Sequence, residues 1–376
     1  MINYIININK IYINSLYWKK GSIIMENKKI KCKAKAVMNK DNLKFQDFEF
    51  ERRALKPNDI LIEIKYAGIC HSDIHTVREE WGNKNFWPIV PGHEIAGTVI
   101  AIGENVKKFK IGDNAGVGCM VDSCRECASC KEGYEQECSK TVFTYNSINV
   151  FDDNEITYGG YSNKIVIDAD FAIKVPKDAP LQYVAPLMCA GITTYAPLSF
   201  SKVKKGQKVA VAGFGGLGLM AVKYALKMGA EVYVFARNKN KEEFAKKLGV
   251  KKLYDSTENV EERFDLIIST IPTKYDVMPY IRLLKHGGEL GIVGVPPAND
   301  EWNLNTSSFI FNGSRKVYGS LIGGIDLTQE MLNYSLKHKI YPEIEIIDPN
   351  QIDEAYDKLT SGKAKFRYVI DMSKLK

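Results

Sequence analysis

VAVAGFGGLGLMAVKYA, residues 209–225, is the stretch whose reading decides the fold. A short run of small and β-branched residues leads straight into Gly213-x-Gly215-Gly216-x-Gly218, and the chain then continues as an apolar run with helical spacing. A strand that turns on glycines into a helix is the frame of a dinucleotide-binding unit. In that frame Gly213 permits the tight turn, Gly215 lets a pyrophosphate approach the backbone, and Gly218 lets helix and strand pack closely. Gly216 and Leu217 complete the loop. The helix that follows offers free N–H groups and the positive end of its dipole to the phosphates.

Working outward, EVYVFA (231–236) reads as a second strand, EEFAKKLG (242–249) as a helix and FDLIIST (264–270) as a strand. YIRLLKHGGELGIVGV (280–295) adds a helix, a turn and a strand. Strands and helices alternating at this length imply a parallel sheet built by right-handed crossovers. The end of the second strand selects the cofactor. An NAD site places Asp or Glu there to accept from the ribose hydroxyls. This chain has Ala236-Arg237-Asn238 instead. No carboxylate repels a 2′-phosphate, and Arg237 can pair with one in a forked geometry, assisted by Lys241. The plainer alternative is that Arg237 is an exposed turn residue. NADP(H) is expected over NAD(H).

The half of the chain before residue 180 is different. KAKAVMNKDNLKFQDFEF (33–50), DILIEIKYA (59–67) and IAGTVIAI (95–102) alternate as strands, and NVKKFKIG (105–112) reads as a short loop or strand. Glycine-bounded strands of this kind suggest a compact barrel-like domain. From Val184 the pattern turns helical and passes into the dinucleotide unit. The segment from about Ser320 ends in FRYVIDM (366–372), a strand expected to return to the first domain. At 376 residues, two domains are expected.

Eight cysteines in a chain without a secretory signal do not suggest a disulfide framework. Cys124-x2-Cys127-x2-Cys130-x7-Cys138 fits a closed, tetrahedral structural Zn²⁺ site, with a redox or disulfide cluster as the alternative. A second constellation is dispersed: Cys70, His71 and His75, then His93 and Glu94, then Cys189. A catalytic zinc needs about three protein ligands and an open position. By type, Cys70, His93 and Cys189 supply them, but His71 and His75 qualify equally, and Cys189 alone in an apolar helix suits a core position.

Composition excludes other classes. The chain is 45% apolar and 26% charged, an ordinary globular balance. Its net charge of +7 is spread without a basic block, so nucleic-acid binding is not expected. No window reaches the uninterrupted apolar length of a membrane span. Residues 1–24, MINYIININKIYINSLYWKKGSII, carry no acidic residue and no Arg, and lack the apolar core and cleavage site of a signal peptide. Met25 is the expected natural start, with the preceding part not native or a disordered tail. Mass spectrometry of the protein from its native gene decides the point.

GICHSDIH (68–75), PGHEIAGTVIAIG (91–103), the four-cysteine stretch, MCAGITTY (188–195) and GFGGLG (213–218) occur in the order found in zinc-containing medium-chain alcohol dehydrogenases. The chain resembles that superfamily from about residue 33 to its C-terminus. CHSD, VGVPP (293–297) and YGSLIGG (318–324) are most similar to its cinnamyl alcohol dehydrogenase group, including bacterial broad-substrate NADP-dependent aldehyde reductases. The resemblance implies an α/β fold: a GroES-like β-rich catalytic domain over 31–186 and 324–376, and a Rossmann, doubly wound parallel-sheet NADP-binding domain over 187–323. Residues 1–30 are left as an N-terminal extension.

It implies two zinc ions, a structural one on the four-cysteine stretch and a catalytic one on Cys70, His93 and Cys189, with Glu94 as an alternative ligand. That metal acts as a Lewis acid while hydride passes between the carbinol carbon and nicotinamide. Ser72 accepts the alcohol proton and passes it through the cofactor ribose toward His75 at the surface, and Asp73 orients His93. His71 contacts the pyrophosphate, Thr193 packs on the nicotinamide, and Val293 and Ser320 join the cofactor-binding residues. Trp81, Cys119 and Met120, with Trp87, fall in segments that wall the pocket in relatives and favour apolar or aromatic aldehydes. A cytoplasmic homodimer acting on small-molecule alcohols and aldehydes is expected, formed through the cofactor domains. Three alternatives fare worse: a non-catalytic zinc or nucleic-acid module, a zinc-free quinone reductase, and an NAD-dependent polyol or formaldehyde-type dehydrogenase. The first two do not account for the fingerprint and the metal ligands together. The third wants the acidic residue that Ala236 replaces.

Overall fold

The computed structural model describes residues 17–19, 22–24, 28–82, 84–237, 239–299, 304–364 and 367–375. The expectation of a foreign or disordered start therefore lies outside the described residues, apart from a short ribbon, Tyr17–Lys19 against Ser22–Ile24.

The β-rich part is organised on strand Asp59–Gly68. Its neighbours are Ile95–Ile102, Lys164–Asp168 and Arg367–Asp371, all antiparallel to it. The sheet continues outward through Asn114–Val117 to Ile173–Val175 on one side and Ile344–Ile347 on the other. Alternation sorts the central strand's side chains. Ile60, Ile62 and Ile64 enter the main core, while Leu61 packs with Ile30, Cys32 and Ala101 on the other face. Each such isoleucine, fully removed from water, contributes roughly 1.5–3 kcal/mol. Residues 33–50 form the hairpin Ile30–Asn39 with Asn42–Arg52. The stretch 105–112 is a loop, anchored by the buried ring of Phe109. The C-terminal strand does return to the first domain: Val369 pairs with Gly68, and the amide of Ile69 donates to the Tyr368 carbonyl at 3.0 Å.

The second unit is a six-stranded, wholly parallel sheet. Its order is Lys252–Tyr254, Glu231–Phe235, Lys208–Ala212, Phe264–Ser269, Leu284–Ile292, Lys316–Gly319. Both faces are covered, so the strands are apolar throughout. Val209 and Val211 point to one core, Ala210 and Ala212 to the other. The order reverses between Lys208–Ala212 and Phe264–Ser269, the switch point where a doubly wound sheet opens a crevice. The glycine turn and helix Gly216–Lys227 stand there.

Two local features depart from the sequence reading. The helical stretch from Val184 is three pieces: helix Leu181–Pro186, a π-turn Leu187–Gly191, and helix Ile192–Phe200. Helix Ile325–His338 packs Met331 and Leu332 into the core shared with the parallel sheet, although the strand that follows it, Ile344–Ile347, belongs to the other unit.

Candidate active site

A cleft of about 1340 Å³ runs between the two units. The glycine turn forms one wall and helix His71–Val77 with its flanks forms the other.

At its floor lie Cys70, His93, Glu94 and Cys189, with one donor atom of each within 4.8 Å of the others. They come from three places. Cys70 caps helix His71–Val77 as the chain leaves the central strand. His93 and Glu94 precede strand Ile95–Ile102. Cys189 sits in the π-turn, whose extra residue re-aims a side chain that a continuous helix would direct elsewhere. Of the histidines left open by residue type, His93 alone joins the set.

The sulfurs of Cys70 and Cys189 are 4.0 Å apart, and Nε2 of His93 is 3.2 Å from Cys189. Zinc–sulfur bonds of about 2.3 Å place the sulfurs of a tetrahedron about 3.8 Å apart. The set therefore fits a zinc ion. Contact with Cys189 holds the Cys70 thiol well below its ordinary pKa, with His93 adding to the effect. Sharing a proton with Cys119 and Cys70 pushes Cys189 well up.

Asp73 sets the histidine. Its Oδ1 accepts from His93 Nδ1 at 3.0 Å and from the Gly92 amide, and its Oδ2 accepts from the Cys70 amide at 2.9 Å and from the Tyr161 hydroxyl at 3.1 Å. Burial opposes charge on His93, yet the Asp73 carboxylate outweighs it and holds the ring well above its ordinary pKa. A ring bonded this way turns a basic Nε2 toward the metal position. Tyr145 stacks on it, with centroids 5.8 Å apart.

Glu94 is fully buried. Burial pushes its carboxyl up to about 8, against the pull of Arg367, with which Oε1 is paired. Its Oε2 is buried with no hydrogen-bond partner among the described residues and lies against Gly68, where a Cβ would stand only 2.0 Å away.

Above the floor, Ser72 Oγ lies 3.5 Å from the Cys70 sulfur. His75 follows three residues later on the same helix face. Its ring is mostly buried, not at the surface: Nδ1 meets Glu80 Oε2 at 2.5 Å, and Trp81 stacks on it at 5.4 Å. His71 is exposed and lines the cleft. Trp81 and Cys119 also line it. Met120 does not. Strand Met120–Asp122 turns that side chain into the main core of the β-rich unit, so Met120 is corrected to a core residue. Trp87 likewise packs with Val37, Val77 and Ile89.

On the opposite wall, Gly213 has φ +93°, and a Cβ there would meet Thr270 at 2.5 Å. A Cβ on Gly218 would meet the Gly213 carbonyl at 2.0 Å. A Cβ on Gly215 would meet no protein atom within 4 Å; it would occupy the cleft, the place a pyrophosphate needs. Gly216 and Leu217 open the helix, whose N-terminus has no side-chain cap. Arg237 is exposed at the rim, and Lys241 donates to the Phe214 carbonyl at 3.2 Å. Asn238 lies outside the described residues. Thr193, Val293 and Ser320 also line the cleft.

Cys124, Cys127, Cys130 and Cys138 come together away from the cleft, again within 4.8 Å. The sulfurs of Cys124 and Cys130 are 3.9 Å apart. The amides of Glu126 and Cys127 hold the Cys124 thiol down to about 6.

Sequence reasoning did not find Arg367, Tyr145, Tyr161 or Glu80. Arg367 left a signal, a lone cation in a β-branched strand. The others are ordinary by type and gain meaning only from what they touch.

Two family models match: "Alcohol dehydrogenase GroES-like domain" over residues 56–177 and "Zinc-binding dehydrogenase" over 216–337. The crystal structure of the cinnamyl alcohol dehydrogenase (CAD) of Helicobacter pylori, complexed with NADP(H), is 56% identical. It superposes with a TM-score of 0.89, covering 92% of this chain and 99% of that one. Two curated relatives are each 46% identical. "Probable formaldehyde dehydrogenase AdhA" of Bacillus subtilis matches over 88% of this chain and 95% of its own. "NADP-dependent alcohol dehydrogenase C 1" of Mycolicibacterium smegmatis matches over 86% and 93%.

Proposed function

We propose that this chain, which belongs to the zinc-dependent medium-chain alcohol dehydrogenases and within them to the cinnamyl alcohol dehydrogenase group, runs its reaction at the cleft floor with Ser72 and His75 handling the proton. It is an NADP(H)-dependent zinc alcohol dehydrogenase that interconverts alcohols and aldehydes. The observation that carries the assignment of residues is that a zinc-spaced Cys70–His93–Cys189 set and a dinucleotide turn face one cleft.

Zinc on that set supplies a Lewis acid to the substrate oxygen, and NADPH supplies the hydride. The chain's own residues do the rest. Asp73 holds His93 in the right tautomer. Glu94, with Oε1 committed to Arg367, ranks behind the other three donors. Ser72, 3.5 Å from the Cys70 sulfur and one turn before His75 on the same helix, is the group to which a proton leaving or reaching the substrate oxygen can be passed. Thr193, Val293 and Ser320 hold the nicotinamide end, the Gly213–Gly218 turn the pyrophosphate with His71 opposite, and Arg237 with Lys241 and Asn238 the 2′-phosphate. Trp81 and Cys119 wall the aldehyde. Cys124, Cys127, Cys130 and Cys138 hold the structural ion. The division into 31–186 with 324–376 and 187–323 follows the two sheets.

Primary alcohols and their aromatic and aliphatic aldehydes are the proposed substrates. The name of the Bacillus relative puts formaldehyde on the panel to be tested. A homodimer through the cofactor domains is supported by the open edge of strand Lys316–Gly319 beside Ile310 and Phe311, which are 74% and 92% exposed. Among the described residues no helix is long and apolar enough to cross a membrane. Eight free cysteines suit the reducing cytoplasm.

The deciding experiment follows NADPH absorbance with a panel of aldehydes, with NADH controls and metal analysis of the same preparation. NADPH-dependent reduction with close to two zinc ions per chain is expected. A lower KM for NADH than for NADPH would overturn the role given to Arg237. Two zinc ions without turnover of any aldehyde would overturn the proposed substrates.

A further inference from the structure

The loop after strand Phe264–Ser269 carries an exposed lysine, Lys274, along the wall of the cleft. The loop is tied at both ends. At its start, the amide and hydroxyl of Thr270 donate to the Ala212 carbonyl at 2.8 and 3.0 Å, beside the glycine turn. At its end, the Tyr275 hydroxyl donates to Ser269 Oγ at 2.6 Å. Between those ties, Ile271, Pro272, Thr273 and Lys274 line the cleft. Three rings set the direction in which the loop leans. Tyr275 meets Tyr280 edge-on at 5.6 Å, and Tyr280 meets Phe235 edge-on at 5.4 Å, the arrangement that aromatic quadrupoles favour. Phe235 ends strand Glu231–Phe235, and Ala236 and Arg237 follow it directly. The aromatic run therefore draws the loop toward the Arg237 corner, with Lys274 next to its outermost ring.

Charge decides what a lysine can do there. Arg237, Lys241, Asp255 and Lys274 all line the cleft. Asp255 follows strand Lys252–Tyr254, which pairs with Glu231–Phe235, so a carboxylate stands at the same end of the sheet as Arg237. Lys241 is drawn toward the glycine turn, where it donates to the Phe214 carbonyl. Without Lys274, two cations face one carboxylate and leave a surplus of one positive charge. With Lys274 the surplus is two, which matches a phosphate monoester near neutral pH. Asp276, the other acid beside the loop, is committed to the Met278 amide at 2.9 Å.

We propose that Lys274 is a third cation for the 2′-phosphate of NADP(H), supplied by the loop after Phe264–Ser269, and that it offsets Asp255. Discrimination between NADP(H) and NAD(H) is then shared by two separate segments of the chain. The inference rests on the reading that the Arg237 corner takes that phosphate.

The test compares the parent with Lys274→Ala, Lys274→Arg and Arg237→Ala, all as zinc-loaded holoenzyme with Tm measured. NADPH and NADH are titrated separately without aldehyde, and each Kd is read from the fluorescence of the reduced nicotinamide. One charge-assisted contact at an exposed position is worth about tenfold in affinity. Lys274→Ala is therefore expected to raise the ratio of the NADPH Kd to the NADH Kd about tenfold. Lys274→Arg keeps the charge and should leave that ratio within about threefold of the parent. Added salt should weaken NADPH binding less in Lys274→Ala than in the parent, because one screened contact is gone. If Lys274→Ala weakens both cofactors equally, the lysine serves the shape of the loop and the proposal falls. It falls too if Lys274→Arg loses as much discrimination as Lys274→Ala. If Arg237→Ala shifts the ratio and Lys274→Ala does not, this inference fails while the reading of the Arg237 corner stands. If Arg237→Ala leaves the ratio unmoved, or the parent binds NADH more tightly than NADPH, that reading falls and this inference with it.

Discussion

The two cysteine clusters have nearly the same sulfur spacing, 4.0 Å and 3.9 Å, yet the chain builds them by opposite routes. The four lobe ligands lie within residues 124–138, and their surroundings are backbone amides: the Cys127 amide donates to Cys124 and the Lys140 amide to Cys138. The cleft ligands span Cys70 to Cys189, come from three separate segments, and are braced by Asp73, Tyr161, Tyr145 and Arg367. A closed site needs only a local loop that can wrap an ion. A site with an open position needs partners that aim each ligand, and these must be delivered by the fold.

The sharpest way to break that contrast is to remove one ligand from each cluster. His93→Ala should lower kcat at least about a thousandfold, since the Lewis acid is lost, while roughly one zinc ion per chain remains in the lobe. Cys127→Ser should do the reverse: the lobe metal is lost and the thermal midpoint falls, but the fraction still folded turns over within a few-fold of the parent. Metal analysis and kcat measured together decide it. If His93→Ala empties both sites, or if Cys127→Ser lowers kcat as far as His93→Ala does, the two clusters do not have separable roles.

The same contrast explains what could be read from the residues alone. The cofactor sheet was legible because a strand, a glycine turn and a helix are contiguous, and Lys208–Ala212 and Phe264–Ser269 are each nearly the run read from the sequence. The lobe was legible for the same reason. The cleft ligands were not selected over His71 and His75 by spacing; the resemblance chose them. Cys189 lies in a π-turn, where helical periodicity fails. Met120 was misplaced because a sulfur side chain near the pocket segment suits core and wall equally, and only the pleat of its strand decides. Arg367 arrives from 273 residues beyond Glu94, a distance over which sequence pattern carries no register.

A smaller effect sharpens the idea that the cleft site depends on its braces. Asp73→Asn keeps the size of the side chain but removes the charge that His93 Nδ1 donates to. Losing such an outer partner typically costs 10–100-fold in metal affinity or activity. A fall in kcat of about that size, with weaker zinc retention against a chelator, is expected. Among the described residues no carboxylate partner comparable to Asp73 meets the lobe sulfurs, so no single substitution beside them should loosen their ion as much. A Ser123→Ala variant, which removes the hydroxyl 3.2 Å from Cys130, is the fair control and should retain lobe zinc like the parent.

The smallest expected effect probes a contact between the lobe and the helix behind the Cys189 turn. Helix Ile325–His338 begins at Gly324, which has no side chain to cap it. The lobe supplies the cap: the Ile325 amide donates to Glu135 Oε2 at 3.1 Å, and Gly324 lies so close to the Gly133 carbonyl that a Cβ would stand 1.9 Å from it. The same helix packs Met331 against Gly191, two residues after Cys189. A carboxylate at a helix N-terminus contributes about 0.5–2 kcal/mol, and a chain of this size converts that into a few degrees at most. Glu135→Ala should therefore lower the thermal midpoint by about 1–4 °C while zinc stays near two per chain and kcat and both KM values stay within about twofold. Larger kinetic changes at full zinc content would mean that the lobe helps hold the Cys189 turn in place. The division between a site for stability and a site for chemistry would then run through Glu135, not between the two clusters.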